Sequence, residues 1–572
     1  MNIFSKINIL KPVIKKITRM LTRRQKFYLF ILTIATIGFS LVETIGISVI
    51  MPFISLASEP KLLFSGWYKK IFDFFSFSTP ESFIITFGIA IIIFYLFRAV
   101  YSILLTWFMN RFSAGMYKYL SKKIFKTILS VPYKVYALKN SGELIHSIYT
   151  ESMDVNRIIL NVLKFGSEIF TILMVYAVII IINWKMTIIV TLTLLIIVFI
   201  LLFIITNINK IQSPKRLLSG RKLNRTLKET LGNFKFVKLK GNEENILKDY
   251  SDVIEVHSRT EVISNLLDIM PKSILESIGF SLLVAAVVII IRIYHDASAV
   301  IPIISMYALA LYRILPSIHR MLQNINQIAY LQKTFDSVDE NLNQITENEG
   351  LQPISFNKSI RLQNIQFSYI TGGNIFNNIS FEIKKGEKIA ITGESGGGKS
   401  TLVDIITGIH KPVSGTVFID DTALNDDNIK SWRKLIGYIP QNIYLFDGTV
   451  AENVSFGSIS DDKKIIKALQ MANIWDFLAT KDGINTIVGE GGIQLSGGQQ
   501  QRIGIARAFY DDPEILVLDE ATSALDTDTE KKIMDEIYNL SKTKTLIVIA
   551  HRLSTVERCN RKIRIENGKI IC

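Results

Sequence analysis

The sequence predicts two halves of different fold class: an all-α membrane half with six spanning helices, then an α/β half built around a phosphate-binding loop. Three observations predict this. The first 330 residues hold six apolar runs, each near or above the ~20 residues that cross a bilayer. From about residue 359 short β-type runs alternate with helical ones, the pattern of an α/β sheet. One of those runs, Lys388–Thr392, leads straight into Gly393-Glu394-Ser395-Gly396-Gly397-Gly398-Lys399-Ser400.

At 572 residues the chain is too long for one ordinary domain. Its 49% hydrophobic content and mean hydropathy of +0.31 are concentrated in the first 330 residues. The net charge of +15 raises nucleic acid as a partner, but its placement argues for no nucleic acid. Lys6, Lys11, Lys15, Lys16, Arg19, Arg23, Arg24 and Lys26 precede the first span with no acid among them, the bias that keeps a flank in the cytoplasm. Cys559 and Cys572 form no CxxC pair and no metal-ligand spacing, and read as free thiols of a reducing compartment. The first apolar run is too long for a signal-peptide core, so it is expected to remain as an anchor.

Four segments follow in order: a basic cytoplasmic segment (1–26), a six-helix transmembrane domain (27–330), a polar linker (331–358) and the α/β domain (359–572). The spans fall at about 27–57, 82–109, 159–183, 186–209, 269–294 and 299–326. Two long, basic, helix-compatible stretches, 110–158 and 210–268, separate the second span from the third and the fourth from the fifth. With the N-terminus inside, both fall in the cytoplasm, as Lys118, Lys122, Lys123, Lys126, Lys215, Arg216, Arg221, Lys222 and Arg225 require.

In the first outer connection Phe64, Trp67, Tyr68, Ile71 and Phe75 fall on one helical face. Two readings stand: a short helix in the outer interface, or an irregular loop with interfacial aromatics. Ionisable residues inside spans are costly and face protein or a water-filled cavity. Glu43, Arg98, Lys272, Glu276, Arg313 and Arg320 qualify. Either Arg98, Lys272, Arg313 and Arg320 give a cationic cavity suited to a phosphate, or they pair structurally with Glu43 and Glu276.

In the α/β half, a strand, a Gly-rich loop and a helix from Thr401 onward make a nucleotide site. The glycines let backbone N–H groups point at phosphates, and the helix N-terminus adds its positive dipole. Lys399 is expected on the β and γ phosphates of ATP and Ser400 on Mg²⁺. Ile515–Leu518 is a second buried strand ending in Asp519 and Glu520. Buried strands do not carry carboxylates at their tips for stability. Asp519 fits the Mg²⁺ shell, and Glu520 fits the base that orients the attacking water.

Residues 359–572 resemble the nucleotide-binding domain of ABC transporters, with its motifs in the family's order. The resemblance implies that Tyr369 stacks on adenine, that Gln441 senses Mg²⁺ and that His551 contacts the γ-phosphate. It implies that Leu495-Ser496-Gly497-Gly498-Gln499 serves the phosphate loop of a partner chain in trans, with Asp526 in the loop between the two sites. Ser496 and the N–H groups of Gly497 and Gly498 form an anion site at a helix start, which gives that role a physical basis. One ATPase domain and six spans then imply a half-transporter working as a homodimer, with Glu520, Ser496 and His551 present for two competent sites. The domain order resembles the exporter class, in which turns near 130–150 and 230–245 dock on the ATPase domains.

Over most of its length the chain also resembles a narrower group, PglK-type flippases for lipid-linked oligosaccharides in bacterial protein glycosylation. The resemblance rests on Glu43–Ser58, Asn233–Lys240, Ala310–Ser317 and Gly437–Asp447. It implies a polyprenyl-pyrophosphate-linked glycan as the membrane lipid substrate, flipped across the bacterial inner membrane. Arg98, Arg313 and Arg320 become candidate pyrophosphate contacts, with Lys272 a further candidate at a place where such flippases can carry arginine. Alternatives on the same scaffold are an exporter of lipid A or O-antigen precursors, which also carry phosphate, or of drugs. A soluble ABC ATPase is the alternative outside transport, and the six apolar runs oppose it.

Overall fold

The computed structural model describes residues 10–519, apart from 59, 65, 183, 295–300 and 371, and then 534–535, 537–539, 543–549, 556, 558–566 and 568–571. The chain forms two compact units: Met1–Leu129 with Lys139–Gln344, and Ser130–Leu138 with Ile345–Cys572.

The first unit is helical throughout. It contains α1 (Leu10–Met20), α2 (Arg23–Ser58), α3 (Gly66–Phe74), α4 (Pro80–Leu129), α5 (Ser152–Ile182), α6 (Trp184–Gly232), α7 (Glu243–Tyr294) and α8 (Ile301–Leu342). A short helix Ser141–His146 and a π-helical turn Ser147–Glu151 lead into α5. Among the described residues, four stretches are long and apolar enough to span a membrane: Arg23–Ser58, Pro80–Leu129, Ser141–Ala177 and Thr191–Gly232. The expected spans 269–294 and 299–326 fall on α7 and α8, and the second of them begins in residues 295–300, outside the described residues. With 50 residues, α4 is about 75 Å long, more than twice the hydrocarbon thickness. The polar stretch after 109 therefore continues the same helix out of the apolar layer.

Residues 1–9 lie outside the described residues, but the rest of the basic N-terminal segment is built into the fold. Val13, Ile17 and Met20 of α1 join a core with Met116, Leu120, Val155 and Phe335, and Lys16 Nζ pairs with Asp336 at 2.8 Å. Buried charges tie the helical extensions together. The Arg216 guanidinium donates to both Asp154 oxygens, at 2.7 and 3.0 Å. The fully buried Glu151 accepts from Arg221 Nε and Ser337 Oγ, both at 2.8 Å. Further hydrogen bonds help to hold such pairs, although Arg216 Nε is buried without a partner among the described residues.

Of the two readings of the first outer connection, the structure has the helix, α3. The face differs in detail from the expected one: Tyr68, Ile71 and Phe72 pack on Leu56, Leu63 and Phe83, while Phe64 and Phe75 are exposed.

The second unit has two sheets. The antiparallel one has the order β2-β1-β4-β5, from β1 (Ser359–Ser368), β2 (Asn374–Lys384), β4 (Ser414–Ile419) and β5 (Thr422–Ala423). The other has the order β10-β9-β3-β8-β7-β6, from β3 (Lys388–Gly393), β6 (Ile436–Ile439), β7 (Ile515–Asp519), β8 (Thr545–Ile549), β9 (Arg561–Glu566) and β10 (Lys569–Ile571). Its five strands from β9 to β6 are parallel. Strands covered on both faces read as unbroken apolar runs, and Ile515–Leu518 and Thr545–Ile549 are buried at every position. The carboxyl ends of β3 and β7, two strands apart, open on one edge, where α/β sheets bind ligands.

Candidate functional site

The phosphate loop is shaped by close backbone approach. Gly393 has φ 146°, and a Cβ there would lie 2.3 Å from the Ile565 carbonyl oxygen of β9, so a side chain is excluded. Gly398 caps α9 (Lys399–Ile406) with φ 98°, a left-handed conformation, and a Cβ would press on Phe376 and Ile375 at 2.9 and 3.0 Å. Gly396 also has positive φ, and the Gly397 N–H donates to the Glu394 carbonyl at 3.1 Å. Ser395 is exposed on the same turn. Lys399 is buried, and its ammonium donates to the Gly393 and Glu394 carbonyls at 3.0 and 2.9 Å, at the centre of the loop. Ser400 is exposed at the helix start and Thr401 is buried behind it. A curled loop, a helix N-terminus and a buried lysine fit a polyphosphate.

Asp519 ends β7 and accepts from the Tyr438 hydroxyl of β6 at 2.8 Å. Burial, then the Asp519 charge, push the Tyr438 phenol far above its usual value, so it stays a donor. Asp404, one turn along α9, is pushed up to about 6 by burial and then by the same Asp519 charge. A cation at Asp519 would relieve that field, so the strand tip fits Mg²⁺. Ile439 is in register with Leu518, and Gln441 follows two residues beyond the end of β6, beside the Asp519 edge.

Tyr369 lies just after β1, and its hydroxyl is 3.0 Å from Thr401 Oγ1. Its ring meets Phe367 edge-on at 5.1 Å and His410 at 5.6 Å. His410 is buried, and its N–H donates to the Asp404 carbonyl at 2.9 Å. Burial, then the Lys134 charge, hold its imidazole below the usual value. The ring of His410 also meets Tyr133, 5.6 Å away, from the turn Tyr133–Tyr136. That turn lies in the expected docking segment 130–150, but only Ser130–Leu138 groups with the nucleotide unit. In 230–245 the structure has a helix, Phe234–Lys240.

The signature run is a helix start. Ser496 caps α10 (Gly497–Phe509) in a capping box: its Oγ accepts from the Gln499 N–H at 3.4 Å, and Gln499 Oε1 accepts from the Ser496 N–H at 2.9 Å. Leu495 anchors the run in the core, and nothing lies within 4 Å of a Cβ placed at Gly497. Gly498 continues the first turn. Glu520, Ser523–Asp526 and His551 lie outside the described residues.

In the membrane unit a cavity of ≈ 760 Å³ is lined by Arg98 and Arg320. Both guanidinium groups are ion-paired. Arg98 Nη2 donates to Glu43 at 3.1 Å, the structural alternative left open by the sequence. Arg320 donates through Nε and Nη2 to both Glu168 oxygens, at 2.5 and 3.0 Å. The expected excess of positive charge is thus largely neutralised within the chain. Lys272 is exposed on α7, outside the lining of this cavity, and the Arg313 side chain lies outside the described residues. Sequence reasoning missed Glu168 and Lys164, which also lines the cavity. Their signal was present: a base and an acid four residues apart inside the third apolar run. It also missed Asp404, His410 and Tyr438, whose roles arise only through contacts between distant segments.

A polyphosphate loop with a carboxylate at the neighbouring strand tip, on one chain with membrane-length helices, defines the class: a nucleotide-driven membrane protein. The family described as "ABC transporter transmembrane region" matches residues 26–315, and the one described as "ABC transporter" matches residues 376–523. The chain belongs to the ABC transporters, as a multi-pass exporter half-transporter that binds and hydrolyses ATP. The ATP-dependent lipid A-core flippase of Burkholderia pseudomallei (strain 1710b) is 29% identical over 462 residues, covering 78% of this chain and 76% of its own. That of Saccharophagus degradans is 29% identical over 490 residues, covering 84% and 83%. The structure of a bacterial Atm1-family ABC exporter with ATP bound shares the fold with a TM-score of 0.77 at 20% identity, over 96% of this chain and 94% of that one.

Proposed function

We propose that the chain acts as a homodimer in the bacterial inner membrane, flipping a phosphorylated glycolipid of the lipid A-core type from the cytoplasmic to the outer leaflet. The observation that carries this reading is its likeness, over more than three quarters of its length, to ATP-dependent lipid A-core flippases. These relatives favour the lipid A alternative over the oligosaccharide one. The basic segment ahead of α2 supports a cytoplasmic N-terminus.

Lys399 and the loop from Gly393 to Ser400 would hold the ATP phosphates, Tyr369 the adenine, and Ser400, Gln441 and Asp519 the Mg²⁺. The metal would draw charge from the transferred phosphoryl group. Glu520 would orient water, His551 would contact the γ-phosphate, and Leu495–Gln499 of the second copy would close the site, with Asp526 between the two sites.

A second reading, a polyprenyl-pyrophosphate-linked oligosaccharide for protein glycosylation, is favoured by the helix α3, because the resemblance to PglK-type flippases implies an external helix near the lipid over Phe64–Phe75. Proteoliposomes decide between them. Vesicles containing either fluorescent lipid A-core or fluorescent polyprenyl-pyrophosphate oligosaccharide are treated with a membrane-impermeant quencher. ATP-dependent loss of access for the first lipid supports the main reading. Loss for the second alone supports the other, and loss for neither removes both.

A further inference from the structure

The carboxylate that ends β7 is held from the neighbouring strand. The Tyr438 hydroxyl of β6 donates to Asp519 Oδ2 at 2.8 Å. The sheet register brings the two together. β6 and β7 are parallel neighbours, with Tyr438 opposite Val517 and Ile439 opposite Leu518. Side chains alternate between the two faces of a strand, so Val517 and Asp519 share the face of Tyr438. Asp519 lies two positions beyond the Tyr438–Val517 pair, roughly 7 Å along the strand at about 3.3 Å per residue, which is the reach of a tyrosine side chain.

Packing alone does not call for that hydroxyl. The Tyr438 ring lies against the core that contains Leu402, Ile406 and Val517, and a phenylalanine would fill the same space. A phenol on a half-buried side chain is costly unless it has a partner, and here the partner is the carboxylate assigned to Mg²⁺. Because the core grips the ring, the hydroxyl is a fixed donor. With Oδ2 tied to it, the plane of the Asp519 carboxylate is set before any ligand arrives. Asp404 on α9 lies within electrostatic reach of both groups. Its like charge repels the Asp519 carboxylate, and the Tyr438 hydrogen bond opposes that displacement. Carboxylates that ligate a metal are themselves held by hydrogen bonds, and loss of such an outer partner costs about 10- to 100-fold in metal affinity.

We propose that Tyr438 is a positioning residue for the metal: it holds Asp519 in the orientation that meets Mg²⁺ and so sets how much of the cation the site requires. The inference rests on the assignment of Asp519 to Mg²⁺. Tyr438 touches neither nucleotide nor cation in this role. Its action runs through the carboxylate.

The test uses the full-length protein in detergent solution and a fluorescent, non-hydrolysable ATP analogue, titrated once in EDTA and once at saturating Mg²⁺. Mg²⁺ is expected to tighten binding to the wild type. Tyr438→Phe removes one oxygen and keeps the ring. In EDTA it is expected to bind the analogue as the wild type does, and its gain from Mg²⁺ is expected to be about tenfold smaller. Hydrolysis titrated with free Mg²⁺ is expected to reach half its maximum at about tenfold more cation, with a smaller change in the maximal rate. A gain from Mg²⁺ of wild-type size in Tyr438→Phe overturns the proposal. Equal weakening with and without Mg²⁺ overturns it as well, because the defect then lies in the pocket rather than in the metal contact. A wild type whose binding does not tighten with Mg²⁺ overturns the assignment of Asp519 to the cation instead.

Discussion

Tyr133, in the turn between α4 and α5, holds its ring 5.6 Å from the imidazole of His410, which is also 5.6 Å from the ring of Tyr369. One buried histidine thus touches both the docking turn and the aromatic expected to face adenine. Its backbone is fixed on the phosphate-loop helix through the Asp404 carbonyl. A shift of the turn has a packed route to the nucleotide pocket through these three rings.

The first prediction concerns that ring. Aromatic pairs contribute about 0.5–1.5 kcal/mol beyond the area they bury. Removing the imidazole in His410→Ala frees Tyr369 on one side, so the KM for ATP is expected to rise about 2- to 10-fold with a smaller change in kcat. His410→Phe, which keeps a ring, is expected to restore it. Steady-state hydrolysis over a range of ATP concentrations measures both quantities. A fall in kcat at unchanged KM would contradict the positioning role.

Asp404 makes stability depend on pH in an unusual direction. Its carboxyl is pushed up to about 6 from a reference of 3.8, by burial first and the Asp519 charge second. The folded protein therefore binds this proton more tightly than the unfolded chain. Between about pH 4 and about pH 6 stability from this group falls as pH rises, and above that window the buried carboxylate is destabilising. Asp404→Asn is expected to raise the melting temperature at pH 7.5 in nucleotide-free, Mg²⁺-free detergent solution. The gain is expected to shrink to nothing towards pH 4. Thermal unfolding at three pH values checks the trend, and a constant difference across them would count against it.

The Arg98–Glu43 pair predicts a non-additive response. Glu43 is buried, and truncating its partner leaves a carboxylate uncompensated inside the membrane unit. Breaking a buried pair costs about 3–5 kcal/mol, and the partial exposure of Arg98 reduces this to about 1–3 kcal/mol. Arg98→Ala is expected to lower the melting temperature, and the double variant Arg98→Ala with Glu43→Gln to recover most of the loss. A double-mutant cycle by thermal unfolding measures the coupling. Independent, additive effects would mean that the two groups act separately.

What was legible in the sequence was local. Gly393–Ser400 and Ser496–Gln499 were readable because a tight loop and a capped helix start are specified by residues a few positions apart. The strand ending in Asp519 was readable because full burial on both faces leaves an unbroken apolar run. What escaped lay between segments far apart in the chain. Glu168 meets Arg320 across 152 positions, and no periodicity encodes that partner. The charge count therefore suggested a cationic cavity where side-chain pairing gives a nearly neutral one. Of the expected docking segment 130–150 only Ser130–Leu138 groups with the nucleotide unit, and the packing of Tyr133 on His410 follows from tertiary structure alone. Likewise, the aromatic pattern of the outer connection left a helix and an irregular loop both open; the structure has the helix, and the residue it buries is Phe72 rather than Phe75.

The sharpest test of the proposed homodimer comes from separating the two halves of a site. Lys399 sits in the phosphate loop and Ser496 caps the signature helix. If each site joins the loop of one chain to the signature of the other, two mixed dimers respond in opposite ways. With Lys399→Ala on one chain and Ser496→Arg on its partner, both defects fall in one site and the second site is intact. With both substitutions on one chain and none on the other, each site receives one defect and neither is whole. Self-contained sites reverse this order: separated defects disable both chains, and combined defects leave the unsubstituted chain active. The two mixed dimers can be purified with a different affinity tag on each chain and their ATP hydrolysis compared. The composite arrangement is expected to leave measurable hydrolysis only where the substitutions lie on separate chains. Adding Glu520→Gln to the chain carrying Ser496→Arg in that dimer is then expected to trap ATP at the surviving site and stop turnover. Trapping follows because that site takes its phosphate loop and its base from the same chain.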